Sequence, residues 1–168
     1  MKRFAPLLAP ILLACSSLLF AAPAVEHLRL SVIPTAVSSG AAEAMVVSGG
    51  RWTTERHLVH AAVLIEHPKG RFLFDTGLGR QTAEAFARNN WINRTLLAYE
   101  QLNPARDQLE AAGYSADDID FILPSHLHWD HLGGLPDFPG IPVKVLPGAL
   151  EEARDHGEPP AFLAEQLE

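Results

Sequence analysis

Between Pro124 and Gly134 the chain reads PSHLHWDHLGG, which places His126, His128, Asp130 and His131 within six residues. Imidazoles and carboxylates are costly to bury without partners. Such a cluster needs either open solvent or a shared ligand. A short apolar run, Ile119–Leu123, precedes it and suits a buried strand, and Gly133-Gly134 follows it. Any fold for this chain must therefore hold four ligand-type side chains in a loop at a strand end.

The spacing suits metal binding. In a locally extended loop alternate side chains point the same way, so His126 and His128 reach one ion. Asp130 and His131 are adjacent and are expected to diverge toward a second position. Neutral imidazole suits zinc, and carboxylate accepts zinc, iron or manganese. Two ions about 3.5–4 Å apart share a water and lower its pKa toward about 7. That arrangement yields a hydroxide nucleophile beside a Lewis acid, and a catalytic centre keeps a coordination position open. Gly133 and Gly134 are expected to let the backbone turn tightly behind the ligands and to open a helix. The competing reading, coincidence on a polar loop, draws on the histidine content of 8 in 168 residues. The strand before the cluster and the glycines after it argue against coincidence.

The rest of the chain supplies a scaffold. LRLSVIP (Leu28–Pro34) reads as a first strand, and GAAEAMVVSGGRW as a strand ending in a Gly-Gly turn. HAAVLIEHPKGRFLFDTG is the clearest hairpin: an apolar run, a Pro-Lys-Gly turn, and a second run ending at Asp75. Gly77 and Gly79 permit backbone angles that other residues resist. Helix is expected from about Gln81 to Asn90, and from about Asn93 to Ala112 with an interruption near Pro104. Gly113 is a plausible helix stop. VKVL reads as another strand, GALEEARDHG as a short helix closed by Gly157, and EPPAFLAEQLE as the start of a further helix. The first half is strand-rich and helices come later, so the class is α/β or α+β.

The first residues read as an export signal. Lys2 and Arg3 form a positive start, Leu7–Phe20 is an uncharged Leu/Ala-rich run, and Ala22-Pro23-Ala24 has the small residues a signal peptidase reads. Residues 1–24 are expected to be removed, leaving residues 25–168 as one domain in a secreted or periplasmic protein. The rivals are an uncleaved anchor over Phe4–Val25 and a lipid anchor at Cys15 after LLAC. Loss of Lys2 and Arg3 takes the net charge from −7 to −9. An acidic chain without a basic run disfavours nucleic acid, or a membrane surface after cleavage, as partners. Cys15 is the single cysteine, so the mature chain has no disulfide and any metal site uses His, Asp and Glu.

SHLHWDHLGG is similar to the HxHxDH signature of the metallo-β-lactamase superfamily. FLFDTG resembles that family's DTG strand end, and SADDIDFIL resembles the segment that feeds its metal loop. The likeness runs from about Leu58 to Glu152. It implies an αββα sandwich with a metal pair at one edge, of which this chain carries mainly the N-terminal half. HLHWDHLGG, with an aromatic between the second His and the Asp, looks most like the lactonase-type hydrolases that open acyl-homoserine lactones. VKVLPGALEEARD resembles their following strand and helix. The resemblance implies zinc, with His126 and His128 on one ion and Asp130 and His131 on the other. Asp130 would also carry a proton. The implied substrate is a small lactone or similar cyclic ester. A β-lactamase is the runner-up, followed by a thioester or phosphoester hydrolase. The family completes its metal site from its second half, with a third histidine, a bridging aspartate and a final histidine. None of these follows before Glu168, so a domain truncated at its C-terminus is expected. An inactive fragment is the non-enzyme reading.

Other polar and aromatic residues have simpler readings. His156 reads as a helix-end residue, and His57 and His60 as ordinary surface or core histidines. Asp75 reads as a turn residue bonding local backbone N–H groups, with the orienting of a ligand histidine as its alternative role. Trp52 is expected to pack, with a place on a flap over an apolar substrate as its alternative, and Trp129 to pack behind the metal loop rather than touch substrate.

Overall fold

A computed structural model describes residues 27–38 and 40–156. The first strand, β1, runs Arg29–Ser38 and extends past the anticipated Pro34. A two-stranded ribbon follows, β2 (Ala41–Ala42) with β3 (Glu55–Arg56), and a single helical turn, α1 (Glu43–Val46), lies between them. The expected strand over GAAEAMVVSGGRW is thus confined to two residues. The cause is Glu43. Its carboxylate accepts the Arg51 N–H at 3.0 Å and pairs with the Arg56 guanidinium, closing the segment into a loop.

The expected hairpin forms from β4 (Val59–His67) and β5 (Gly70–Phe74), with Val63 opposite Phe74 and Ile65 opposite Phe72. Helices α2 (Thr82–Ala87) and α3 (Trp91–Leu96) come next, then β6 (Tyr99–Glu100) and α4 (Ala105–Ala111). The second expected helix is therefore two helices with a strand between. Pro104, which has no N–H to give, stands at the N-cap of α4. Gly113, at φ +89, follows α4 as the anticipated stop. The chain then enters β7 (Phe121–Leu123), parallel to β5. A parallel pair requires such a helical crossover. The sheet order is β6-β1-β4-β5-β7, mixed in direction. After β7 come α5 (Trp129–Leu132) and α6 (Ala149–His156). VKVL is not a strand: Val143 makes one isolated bridge to Ile122. Pro142 and Pro147 flank the segment and cannot donate to a ladder. The expectations for residues 1–24, Gly157 and EPPAFLAEQLE lie outside the described residues.

Alternation gives the sheet two unlike faces. One carries Ile33, Ala62, Leu64, Leu73 and Ile122, which pack with Ala105 and Leu109 of α4, Ile119 and Phe138. Burying each large side chain there contributes about 1.5–3 kcal/mol. On the other face the registers align two apolar rows. Leu30, Ile65, Phe72 and Phe121 form one, and Val32, Val63, Phe74 and Leu123 the other. Leu30 is 61% exposed and Val32 is 66% exposed, so this face is bare at β1 among the described residues.

Candidate metal centre

The site is built where β5 and β7 end side by side. Asp75 leaves β5 in the left-handed region, at φ +58, and its N–H donates to the Leu123 carbonyl at 3.1 Å. Aspartate tolerates that conformation better than most residues. Thr76 donates both its N–H and its hydroxyl to the His131 carbonyl, each at 2.9 Å. Gly134 returns its N–H to the Thr76 hydroxyl at 3.1 Å and to the Gly77 carbonyl at 2.9 Å. The DTG turn and the metal loop are thus stitched together through the backbone.

This closeness, rather than an unusual angle, explains Gly133 and Gly134. Their φ values are −56 and −90, which any residue adopts. A Cβ on Gly134 would lie 2.8 Å from the Thr76 carbonyl oxygen. The glycines also follow a helical turn, α5, and lead only into a single 3-10 turn at Leu135–Asp137.

The four predicted ligands come together. The His126 ring meets that of His128 edge-on and that of His131 at a tilt, with centroids 4.4 and 3.9 Å apart. Asp130 places Oδ2 3.5 Å from Nε2 of His131, so the two do not diverge as expected. The reason is α5: Asp130 and His131 lie on a helical turn, not in an extended loop. Trp129 is 5% exposed and packs against Ala36, Leu78 and Phe86 behind the loop, and it also lines the cavity beside the cluster.

Asp75 does more than close a turn. Its Oδ2 bonds Nδ1 of His131 at 2.8 Å, and its Oδ1 accepts the Ser125 N–H at 2.6 Å. The Ser125 hydroxyl adds a bond at 2.8 Å. These partners are 50 or more residues away, so the local turn reading is corrected and the orienting role stands. With Nδ1 engaged, Nε2 is the His131 nitrogen that faces the cluster.

His60, expected as an ordinary surface or core histidine, lies beside the cluster. Its Nδ1 lies 3.5 Å from Oδ2 of Asp130, and its ring centroid is 6.0 Å from that of Trp129. One signal could have found it: alternation puts His60 on the core face with Ala62 and Leu64. His57 lies outside the cluster, near Ser38 and Glu55. Trp52, expected to pack, is 75% exposed. It follows the Gly49-Gly50 turn, between α1 and β3 at the outer end of the β2–β3 ribbon. His156 ends α6, as expected.

Burial opposes ionisation of Asp75, yet the bonds from His131 and Ser125 outweigh it and hold the carboxyl below its ordinary range. Burial likewise opposes the charged form of His131, but Asp75 and Asp130 raise its pKa overall. His126 is lowered, first by burial and then by the neighbouring His131 and His128. A neutral His126 beside two ionised carboxylates suits a divalent cation in donor chemistry. Donor number is the shortfall: among the described residues no group of three ligand-type side chains is arranged to hold one ion. The cluster fits zinc as part of a shell.

A family model described as the metallo-beta-lactamase superfamily matches residues 56–168. The chain belongs to the metallo-beta-lactamase superfamily. An N-acyl homoserine lactonase of Bacillus thuringiensis is 32% identical over 97 residues, covering 54% of this chain and 37% of that protein. A protein called "Probable metallo-hydrolase" in Mycobacterium tuberculosis is 36% identical over 84 residues, covering 49% of this chain and 27% of its own length. A solved quorum-quenching N-acyl homoserine lactone lactonase is similar with a TM-score of 0.60 at 26% identity, over 82% of this chain and 52% of that one. An N-acyl homoserine lactone hydrolase with N-hexanoyl-L-homoserine at its catalytic metal center gives 0.67 at 24% identity, over 82% and 55%, which shows the fold. The chain spans about half the length of these solved proteins and a smaller share of the curated relatives.

Proposed function

We propose that this chain carries the metal loop and part of the substrate pocket of a zinc-dependent hydrolase that opens lactones bearing an apolar acyl group. The observation that carries the reading is a cavity of about 260 Å³ that adjoins the cluster. Met45, Val46 and Leu96 line its apolar side, and His60, His128 and Asp130 line its polar side. Pockets of this kind combine apolar walls with a few placed polar groups. The named lactonases among the relatives support the same substrate class.

Zinc, when bound, supplies a Lewis acid and acidifies water. His126 and His128 would hold one ion, and Asp130 and His131 the other. Asp75 keeps Nε2 of His131 turned to the site. Asp130, held ionised, accepts a proton from the attacking water and returns one to the alkoxide released by ring opening. The apolar wall holds the acyl group and excludes water. The Lys2-Arg3 start and the Ala22/Ala24 pattern support export as the protein's destination.

The test offers N-hexanoyl-homoserine lactone and a β-lactam side by side to the zinc-supplemented full protein. Lactone turnover with little β-lactam turnover is expected. His128→Ala and Asp130→Asn should each reduce it by about a hundredfold or more, and His156→Ala should leave it within a few-fold. A preference for the β-lactam would overturn the lactone reading. Full activity in Asp130→Asn would overturn the metal mechanism.

A further inference from the structure

His60 has a structural setting that core packing alone does not explain. It sits on the core face of β4, two residues before the fully buried Ala62. Opposite it, β1 is bulged: Pro34 pairs with Ala61 and Ala36 with His60, leaving Thr35 as an extra residue. The Thr35 hydroxyl donates to the His60 carbonyl at 3.0 Å and accepts the Leu78 N–H at 3.0 Å. Bulges beside functional sites re-aim side chains. Here the bulge and the Trp129 ring, tilted 48° to the imidazole, fix the direction of His60.

That direction is toward Asp130. Nδ1 of His60 and Nε2 of His131 each lie 3.5 Å from the same oxygen, Oδ2. The His60 side chain is only 11% exposed, so solvent competes weakly for it. We propose that His60 is a positioning residue whose Nδ1–H donates to Oδ2 of Asp130, leaving the other carboxylate oxygen to be presented to a metal ion. The separation is longer than an ordinary hydrogen bond, and contacts of this kind shorten when a site is loaded. The proposal rests on Asp130 being a metal ligand, and groups that orient ligands typically change metal affinity by about 10–100-fold.

Two measurements test it, neither of which needs substrate. In the metal-free full chain, long-range ¹H–¹⁵N NMR should show His60 with its proton on Nδ1, and Asp130→Ala should change that signature. In competition with a chromogenic chelator, His60→Leu should weaken zinc binding at least about tenfold. His60→Asn, whose amide can donate from nearly the same place, should restore affinity to within about threefold of wild type. A proton on Nε2 of His60, a signature unmoved by Asp130→Ala, or equal zinc affinity in wild type and His60→Leu would each overturn the proposal. Failure of His60→Leu to fold leaves the wild-type tautomer and His60→Asn to decide. Zinc binding without lactone turnover overturns the lactonase reading alone.

Discussion

Asp75 and His131 stand 56 residues apart in the chain and meet at 2.8 Å, carboxylate Oδ2 to imidazole Nδ1. This bond ties the end of β5 to the helical turn that carries the last two candidate ligands. It fixes the ring's orientation, and its two partners shift in opposite directions, Asp75 down and His131 up.

The opposite shifts set a pH window for the zinc-free protein. A depressed carboxyl contributes stability that is present above its unfolded pKa and is lost as pH falls through the folded value. A raised imidazole contributes stability that is complete below its unfolded pKa and is lost as pH rises through the folded value. The pair therefore contributes most between about pH 4, the ordinary Asp value, and about pH 6.5, the ordinary His value. Asp75→Asn should cost about 2 kcal/mol at pH 5.5 and measurably less at pH 9. Urea unfolding at the two pH values checks the difference. An equal loss at both would show that the Ser125 bonds alone explain the role of Asp75.

Gly134→Ala should destabilise the chain by about 1–3 kcal/mol, because its methyl would meet the Thr76 carbonyl at 2.8 Å. Gly113→Ala meets no neighbour among the described residues and is strained by its φ of +89, so about 1 kcal/mol is expected there. Chemical denaturation of both variants compares crowding with conformational strain. A neutral Gly134→Ala would mean that the Thr76 turn yields easily.

The apolar rows on the second face of the sheet, bare at β1 among the described residues, predict surface behaviour. The chain should bind a hydrophobic dye or self-associate as its concentration rises. Val32→Asp, in the most exposed strand of that face, should reduce either effect several-fold without altering the far-ultraviolet circular dichroism. Sedimentation and dye titration make the comparison. An unchanged response would place the sticky surface elsewhere.

Export predicts a mature N-terminus at Val25, after the Ala22/Ala24 pattern. N-terminal sequencing of protein recovered outside the cytoplasm reads this directly. Met1 retained would sink the prediction, and a lipid-modified Cys15 would favour the lipoprotein route.

Local features were legible in the sequence because local physics produces them. The β4–β5 hairpin follows from two apolar runs around Pro68-Lys69-Gly70, and the stop at Gly113 from a residue free to take positive φ. The four candidate ligands at 126, 128, 130 and 131 follow from side chains that need a common partner. Trp129 could be placed behind the loop because a large indole so close to the ligands must be covered. What the sequence could not decide depends on chain segments that meet only in three dimensions. Glu43 turns an apparent strand into a loop by pairing with Arg56. The VKVL run makes only an isolated bridge to Ile122, because Pro142 and Pro147 at its two ends cannot donate to a ladder. The glycines at 133 and 134 look like angle-makers in sequence but are space-savers against Thr76. Asp75 and His60 are ordinary polar residues until β5, β7 and the bulge at Thr35 bring them to His131 and Asp130. Hydrogen bonds of this kind act over about 3 Å, and only the folded chain brings residues so distant in sequence within that reach.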